Sequence, residues 1–297
     1  MAETAIERLG PLPAPTERVA FTYAHDGQSW FRRQLIGAVE LASGSRHLER
    51  LYDAWVASGA QGNPFDAALR LLELRIELAG TPPASIPRDG GVLLVANHPF
   101  GVADGLALGW LATQLRRDVR ILTHASLCRV PEFEPYLFPV DFAETAEARR
   151  RTAAMRRKAT DALDAGAAVV IFPGGSVATS NRPFRRPAAE LPWHPFVARL
   201  ALTAGTHVVP VFCHGQNSRL FQIASHMSYS LRVAMLFGET RRRIGSDVSM
   251  TVGAPIEARD LAALPRADVA TALRRTCLAL GAVDPDESFA WPRHIRW

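Results

Sequence analysis

The chain is poor in cysteine, nearly without lysine and free of long apolar runs. Its three cysteines, Cys128, Cys213 and Cys277, are odd in number, far apart and outside any Cys-x-x-Cys pair. That pattern excludes a disulfide framework and a thiolate zinc site, and it predicts buried thiols in a reducing compartment. No segment stays apolar for the roughly 20 residues a membrane-spanning helix needs. The stretch from Met1 to Arg18 is broken by Pro11, Pro13 and Pro15 and has no signal-peptide core. Any work on lipid is therefore expected from the surface. Lys158 is the single lysine, so the net charge of +5 rests on arginine. Such an excess favours acidic partners: an anionic membrane, a phosphorylated ligand or nucleic acid.

The 297 residues are enough for one large or two small domains with a substantial core. With 48% hydrophobic and 21% charged residues, the composition is that of a folded globular protein and argues against wholesale disorder. The expected organisation is a flexible tail over residues 1–27, ordered only where Val19, Phe21 and Tyr23 can pack. A helical region follows over 28–90 and packs on an α/β domain over 91–297. Helical periodicity predicts helices over Ser29 to Ala42, Arg46 to Ala57 and Pro64 to Leu78, with Trp30, Phe31, Tyr52 and Trp55 read as core residues in preference to a lipid-facing surface. A Pro-rich connection, Thr81 to Gly90, comes next. β-rich runs at Gly91 to Ala96, Asp118 to Thr123, Ala167 to Phe172, His207 to Phe212, Leu231 to Phe237 and Val248 to Val252 then alternate with helical patterns. Those patterns lie at Gly105 to Leu115, Glu144 to Asp164, Pro195 to Ala204 and Arg266 to Leu280. The alternation predicts a layered α/β fold, a mixed and largely parallel sheet flanked by helices, with functional loops beyond the carboxyl ends of the strands.

Three strand ends carry candidate chemistry. The apolar run Val92-Leu93-Leu94-Val95-Ala96 stops on Asn97-His98, and Asp104 follows across a Pro- and Gly-containing turn. Histidine is suited to removing a proton near neutral pH, and a carboxylate on its other ring nitrogen would fix the tautomer and stabilise the imidazolium. A second run, Val169 to Phe172, ends in Pro173-Gly174-Gly175-Ser176. Its free backbone N–H groups could bind a phosphate or oxyanion, or it could be a tight surface turn. Gly174-x-Ser176-x-Ala178 also approaches a nucleophile elbow, but a polar loop with Pro183 follows where a helix is required. In the third, Val208 to Cys213 ends in His214-Gly215-Gln216-Asn217-Ser218-Arg219. Asn217, Ser218 and Arg219 there could hold a polar head group or simply cap a short helix. His214 has no metal-ligand spacing with His98, His194 or His226.

Arginines cluster at Arg149 to Arg151 with Arg156 to Lys158, at Arg182, Arg185 and Arg186, and at Arg241 to Arg243. These read as solvated faces or as contacts to anionic lipid or an acidic carrier protein. No nucleic-acid motif accompanies the charge, so nucleic acid is not an expected partner.

Taken in order, Asn97-His98-Pro99-Phe100-Gly101-Val102-Ala103-Asp104-Gly105, Phe172-Pro173-Gly174-Gly175-Ser176 and Val209-Pro210-Val211 resemble the glycerolipid acyltransferase superfamily typified by 1-acylglycerol-3-phosphate acyltransferase. The likeness is strongest to its bacterial hemolysin-like branch, which includes ornithine-lipid acyltransferase domains. That branch shares the five-residue His-to-Asp gap and the phrase Gly215-Gln216-Asn217-Ser218-Arg219-Leu220-Phe221-Gln222. The likeness extends over about residues 29–257. It implies a glycerolipid-acyltransferase-like fold and transfer of a fatty acyl group from an acyl thioester, on acyl carrier protein or coenzyme A as co-substrate, to the hydroxyl of a lyso-lipid in membrane lipid biosynthesis. It also implies His98 as general base and Asp104 as its partner, with no metal and no further cofactor. Asn97, Gly101, Pro173, Gly174, Gly175, Ser176, Asn217, Ser218 and Arg219 are the expected oxyanion and substrate contacts. The expected place of work is the inner face of the cytoplasmic membrane, as a peripheral cytoplasmic protein at an anionic surface. The family's third motif carries a glutamate at one of the places held here by Gly174 and Ser176. Two other readings stay open, a serine hydrolase acting through Ser176 and a non-catalytic anionic-lipid-binding protein.

Overall fold

The computed structural model describes residue 22 and residues 30–59, 62–124, 130–140, 146–184, 187–292 and 295. The expected tail over 1–27 falls almost wholly outside these residues, as do Cys128, Arg185 and Arg186. Three helices, α1 (Trp30–Ser43), α2 (Ser45–Ala57) and α3 (Pro64–Leu71), lead into strand β1 (Arg75–Gly80). The succession continues with β2 (Gly91–Ala96), α4 (Val102–Leu115), β3 (Val119–His124), β4 (Leu137–Val140), α5 (Ala146–Asp164), β5 (Ala168–Ile171), α6 (Phe196–Ala201) and β6 (Thr206–Cys213). Helices α7 (Arg219–Met227), α8 (Tyr229–Ala234) and α9 (Leu236–Arg242) follow, then β7 (Asp247–Val252), β8 (Ile256–Glu257), α10 (Ala258–Leu261) and α11 (Arg266–Ala279).

Strand β2 is buried at every position because both of its faces are covered, which is why it reads as a continuous apolar run instead of an alternating one. Val92, Leu94 and Ala96 pack with Phe65 of α3 and Leu108 of α4. Leu93 and Val95 pack on the opposite face with Leu163 of α5, Val197 of α6 and Leu273 of α11. The sheet order is β1-β7-β6-β2-β5-β3-β4, with β8 on β6, and every pairing is parallel except those of β6 with β7 and β8. The fold is thus the layered, mixed and largely parallel α/β arrangement expected. Because β2 lies between β5 and β6, His98 and Gly174 emerge from neighbouring parallel strands at the same edge of the sheet.

Three expectations fail. The third helix stops at Leu71, and Glu73, with φ of 50°, turns the chain into β1. Leu74, Ile76 and Leu78 alternate with Glu73, Arg75 and Glu77, a period of two that ends the helical pattern, and Arg75 pairs with Asp247 at 2.6 Å on β7. The run Leu231 to Phe237 is helical, in α8 and α9: the Ser228 hydroxyl caps α8 by accepting from the Leu231 N–H at 3.5 Å, and short apolar runs do not separate strand from helix. Finally, Trp30 and Phe31 are 67% and 71% exposed on α1 and are not core residues.

Candidate active site

The turn after β2 folds back so that Asp104 meets His98. Gly101 enters α4 with φ of 94°, a conformation that favours glycine, and Asp104 then lies in the first helical turn. Its Oδ2 accepts from the Phe100 N–H at 2.9 Å and its Oδ1 from the Gly105 N–H at 3.0 Å, so the carboxylate is fixed by backbone before it touches any side chain. His98 Nδ1 stands 3.2 Å from Oδ2, an ion-pair contact whose angle lies outside that of a regular hydrogen bond. Asp104 is wholly buried, while the imidazole keeps 18% of its side-chain surface. Burial opposes a charged imidazole, but the charge and contact of Asp104, with help from Glu190, outweigh it and raise the His98 pKa above its ordinary value. The ring also stacks on Phe172, centroids 4.1 Å apart, which fixes its plane.

His98 opens onto a cavity of about 870 Å³ whose walls are largely apolar. Leu48, Leu51 and Trp55 of α2, Phe65 of α3 and Leu137 of β4 form part of the lining, and Gly101, Pro173, Gly174 and Gly175 line the end that carries the histidine. Gly175, with φ of 67°, donates its N–H to Phe172 O at 3.0 Å and closes the turn. The Gly174 N–H has no hydrogen bond among the described residues, and of the two glycines expected to supply an oxyanion donor it is the one left free. Arg156 of α5 stands over the Phe196 ring at 4.8 Å on the same cavity, with His194 beside it. Burial first, then Arg156, lowers the His194 pKa.

Other expected contacts are placed elsewhere. Asn97 spends its amide on β6, donating to Cys213 O at 2.9 Å and accepting from the Cys213 N–H at 2.6 Å. Asn217 donates to Phe100 O at 3.2 Å, and Ser218 caps α7, accepting from the Phe221 N–H at 3.2 Å while it bonds to Glu239. None of Asn217, Ser218 and the exposed Arg219 lines the cavity; Asn217 braces the turn that holds Asp104, and Ser218 ties α7 to α9. His214 contacts Thr251 at 2.7 Å, away from His98. The Ser176 hydroxyl accepts from Arg232 at 3.1 Å, and no histidine bonds to it among the described residues, so the nucleophile elbow lacks a base.

The arginine clusters disperse. Arg151 pairs with Glu147 on an exposed face, while the Arg149 side chain lies outside the described residues. Arg243 lies over the Phe100 ring at 3.2 Å, and burial lowers its pKa. Cys213 and Cys277 are buried free thiols with pKa values raised by burial, hence unreactive.

Two residues of this region escaped sequence reasoning. Arg232 is fully buried between the Phe221 and Trp291 rings and reaches Thr179, Ser176, Ser225 and Val177 O; burial pulls its pKa down to about 9, so it stays charged at neutral pH. Glu190, 4% exposed, accepts from the His98 backbone N–H at 2.8 Å. Burial pushes its pKa up to about 7 against the opposing pull of His98. A buried arginine inside a supposed strand was the one signal available for Arg232; Glu190 had none.

Residues 80–214 match the Acyltransferase family. Among curated proteins the chain is similar to the Lyso-glycine lipid O-acyltransferase of Phocaeicola vulgatus, 25% identical over 205 residues that cover 64% of this chain and 67% of the relative. The protein of the same name from Bacteroides thetaiotaomicron is 24% identical over 198 residues, covering 64% of this chain and 69% of that one. Among solved structures, the 1-acyl-sn-glycerophosphate (LPA) acyltransferase PlsC from Thermotoga maritima aligns with a TM-score of 0.47 and 16% identity, over 84% of this chain and 97% of that one. The histidine turn, the glycine turn and the Val-Pro-Val strand all fall inside the span that matches the Acyltransferase family, and the chain is an acyltransferase.

Proposed function

We propose that this protein moves a fatty acyl group from an acyl thioester, on acyl carrier protein or coenzyme A, to the hydroxyl of a lyso-lipid, with His98 as general base. The observation that carries the proposal is the pairing of His98 with buried Asp104 at the end of an apolar cavity, next to the free Gly174 N–H. Nδ1 faces Asp104, which leaves Nε2 to take the proton. The acceptor oxygen gives its proton to Nε2 as it attacks the thioester carbonyl. The oxyanion that forms is stabilised by the Gly174 N–H, and its collapse expels the thiolate, which recovers the proton from the imidazolium. The chain's own groups suffice for these steps.

The names of the relatives favour a lyso-lipid with an amino-acid head group, a lyso-aminolipid, over a lysophospholipid. No helix among the described residues is long and apolar enough to cross a membrane. The exposed apolar side of α1 supports peripheral action on an anionic lipid surface, and the reading places the protein at the inner face of the cytoplasmic membrane in lipid biosynthesis. Arg156 at the cavity supports an anionic donor.

A thiol-release assay with acyl-carrier-protein and coenzyme A thioesters over a panel of lyso-lipids tests the proposal. His98→Ala and Asp104→Ala are expected to fold and to lose about 10²–10⁴ in kcat. Since the His98 pKa is raised and the base must be neutral, the acid limb of kcat/KM should lie above pH 6.5. Full turnover by folded His98→Ala protein would refute the assignment.

A further inference from the structure

Glu190 is a buried carboxyl group that the mechanism above does not use, and its two oxygens are in different situations. Oε1 accepts from the His98 N–H at 2.8 Å. Oε2 is buried without a hydrogen-bond partner and points at Gly174, where a Cβ would come within 2.8 Å of it. Gly174 does not have a positive φ, so its lack of a side chain answers to space and not to backbone conformation. The segment that carries Glu190 is anchored from outside the turn: its carbonyl accepts from the Phe289 N–H at 2.9 Å and from the Arg274 guanidinium at 3.4 Å. A side chain at residue 174 and the Glu190 carboxylate cannot both occupy this space as it stands.

We propose that Glu190 is a positioning residue of the acyl-transfer site and that, with Gly174, it replaces the carboxylate missing from the third motif, bringing it from a downstream segment into the room that the absent side chain leaves. The inference rests on the acyl-transfer reading above. Glu190 acts through His98. Its hydrogen bond fixes the backbone from which the imidazole reaches Asp104 and stacks on Phe172, and its charge adds to that of Asp104 in favouring the imidazolium formed when Nε2 takes the acceptor's proton. No proton passes to Glu190 itself. The groups that face it are His98 and Asp104 from the histidine turn and Arg274 and Cys277 from α11, with Cys213 nearby on β6. Of these, His98 and Arg274 oppose its burial and Asp104 adds to it, so its ionisation is tied to the state of the imidazole.

Glu190→Gln separates the two roles, because the amide oxygen still accepts from the His98 N–H while the charge is gone. Thiol release with a palmitoyl thioester and a lyso-aminolipid is measured over about pH 5 to 9, where an imidazole titrates, for the wild type, His98→Ala and Glu190→Gln. The expected result for Glu190→Gln is a kcat about tenfold lower, with KM for both substrates within about twofold. The acid limb of kcat/KM should also move down by about one pH unit, since a neighbouring negative charge has been removed from a base. An unchanged profile overturns the inference. So does a lower kcat with an unmoved limb, which would make Glu190 a packing group only. If the wild type releases no thiol, or His98→Ala matches it, the acyl-transfer reading fails and takes this inference with it, so the two failures are distinguishable. Should Glu190→Gln not fold, the His98 ring titration followed by NMR in Gly174→Ala decides. The added methyl must push Oε2 aside, and the imidazole should titrate at lower pH than in the wild type; an identical titration overturns the proposal.

Discussion

One histidine in this protein is held by two carboxyl groups, Asp104 at its ring and Glu190 at its backbone N–H, which reach it by different routes. Asp104 lies one short turn from His98, and a strand that stops on a histidine before a Pro-Gly turn makes that pair legible without a structure. Glu190 is 92 residues away along the chain. It sits in a Pro-rich stretch with no periodicity, where only the packing of three segments brings it to the site. Asn97 makes the opposite case: it sits beside the base in sequence, but its amide bonds to the Cys213 backbone of β6. The buried glutamate also has a consequence for stability. Its folded pKa of about 7 lies above the ordinary 4.5, so the folded state holds the proton more tightly than the unfolded chain does. The stabilising contribution is therefore fully present below about pH 4.5 and is lost as pH rises through about 7. The stability advantage of the wild type over Glu190→Gln should accordingly shrink across that window, by on the order of 3 kcal/mol at 1.36 kcal/mol per pKa unit. Urea denaturation at fixed temperature and stepped pH measures it, and an advantage that grows with pH would contradict it.

Elements that are buried on both faces or strictly periodic were readable, and those whose nature depends on a partner were not. Strand β2 falls at the expected residues because its apolar run is short, carries the β-branched Val92 and Val95, and is bounded by Gly90 and the Pro99 turn. Strand β1 was hidden by the helix before it, since Leu72, Leu74 and Ile76 continue an apolar spacing until the alternation with charge is weighed. In α8 and α9, the decision between strand and helix lay with the Ser228 cap and with packing against other helices, α8 on α1 and α7 and α9 on α1 and α2. Helix α1 shows the same dependence. Trp30, Phe31, Leu35 and Leu41 lie within one arc of the helix and are all exposed, while Ile36 and Glu40 face inward. An apolar stripe of this kind, exposed among the described residues, fits the interfacial layer of a membrane. Trp30→Ser combined with Phe31→Ser should weaken binding to anionic vesicles by about tenfold or more, since burying one such side chain is worth about 1.5–3 kcal/mol. Thiol release with a dispersed, short-chain acceptor should stay unchanged. Vesicle co-sedimentation reads the first effect, and undiminished binding would remove α1 from the membrane contact.

At the scale of the whole molecule, sheet order and layer thickness set what the site can do. Parallel neighbours on one side bring His98 and the Gly174 turn to one edge, while the helices over that face leave an apolar space of about 870 Å³ instead of closing it. The sequence could announce the strand ends but not this space, because its walls come from α2, α3, β4 and the 190s segment, which no local pattern connects. Gly105 offers a way to probe the space without disturbing the fold. It follows Asp104 in α4, lines the cavity, and a Cβ placed there meets nothing within 4 Å. Gly105→Leu should therefore fold, with stability unchanged or raised by up to about 1 kcal/mol from helix propensity. The new side chain would fill cavity volume next to the base. Long-chain thioesters need that volume and very short ones need little of it. The ratio of kcat/KM for a palmitoyl donor to that for a butyryl donor should then fall by about tenfold or more, the scale on which a pocket discriminates by methylene groups. If both donors lose equally, the cavity does not hold the acyl chain, and the leucine acts only through the geometry of His98 and Asp104.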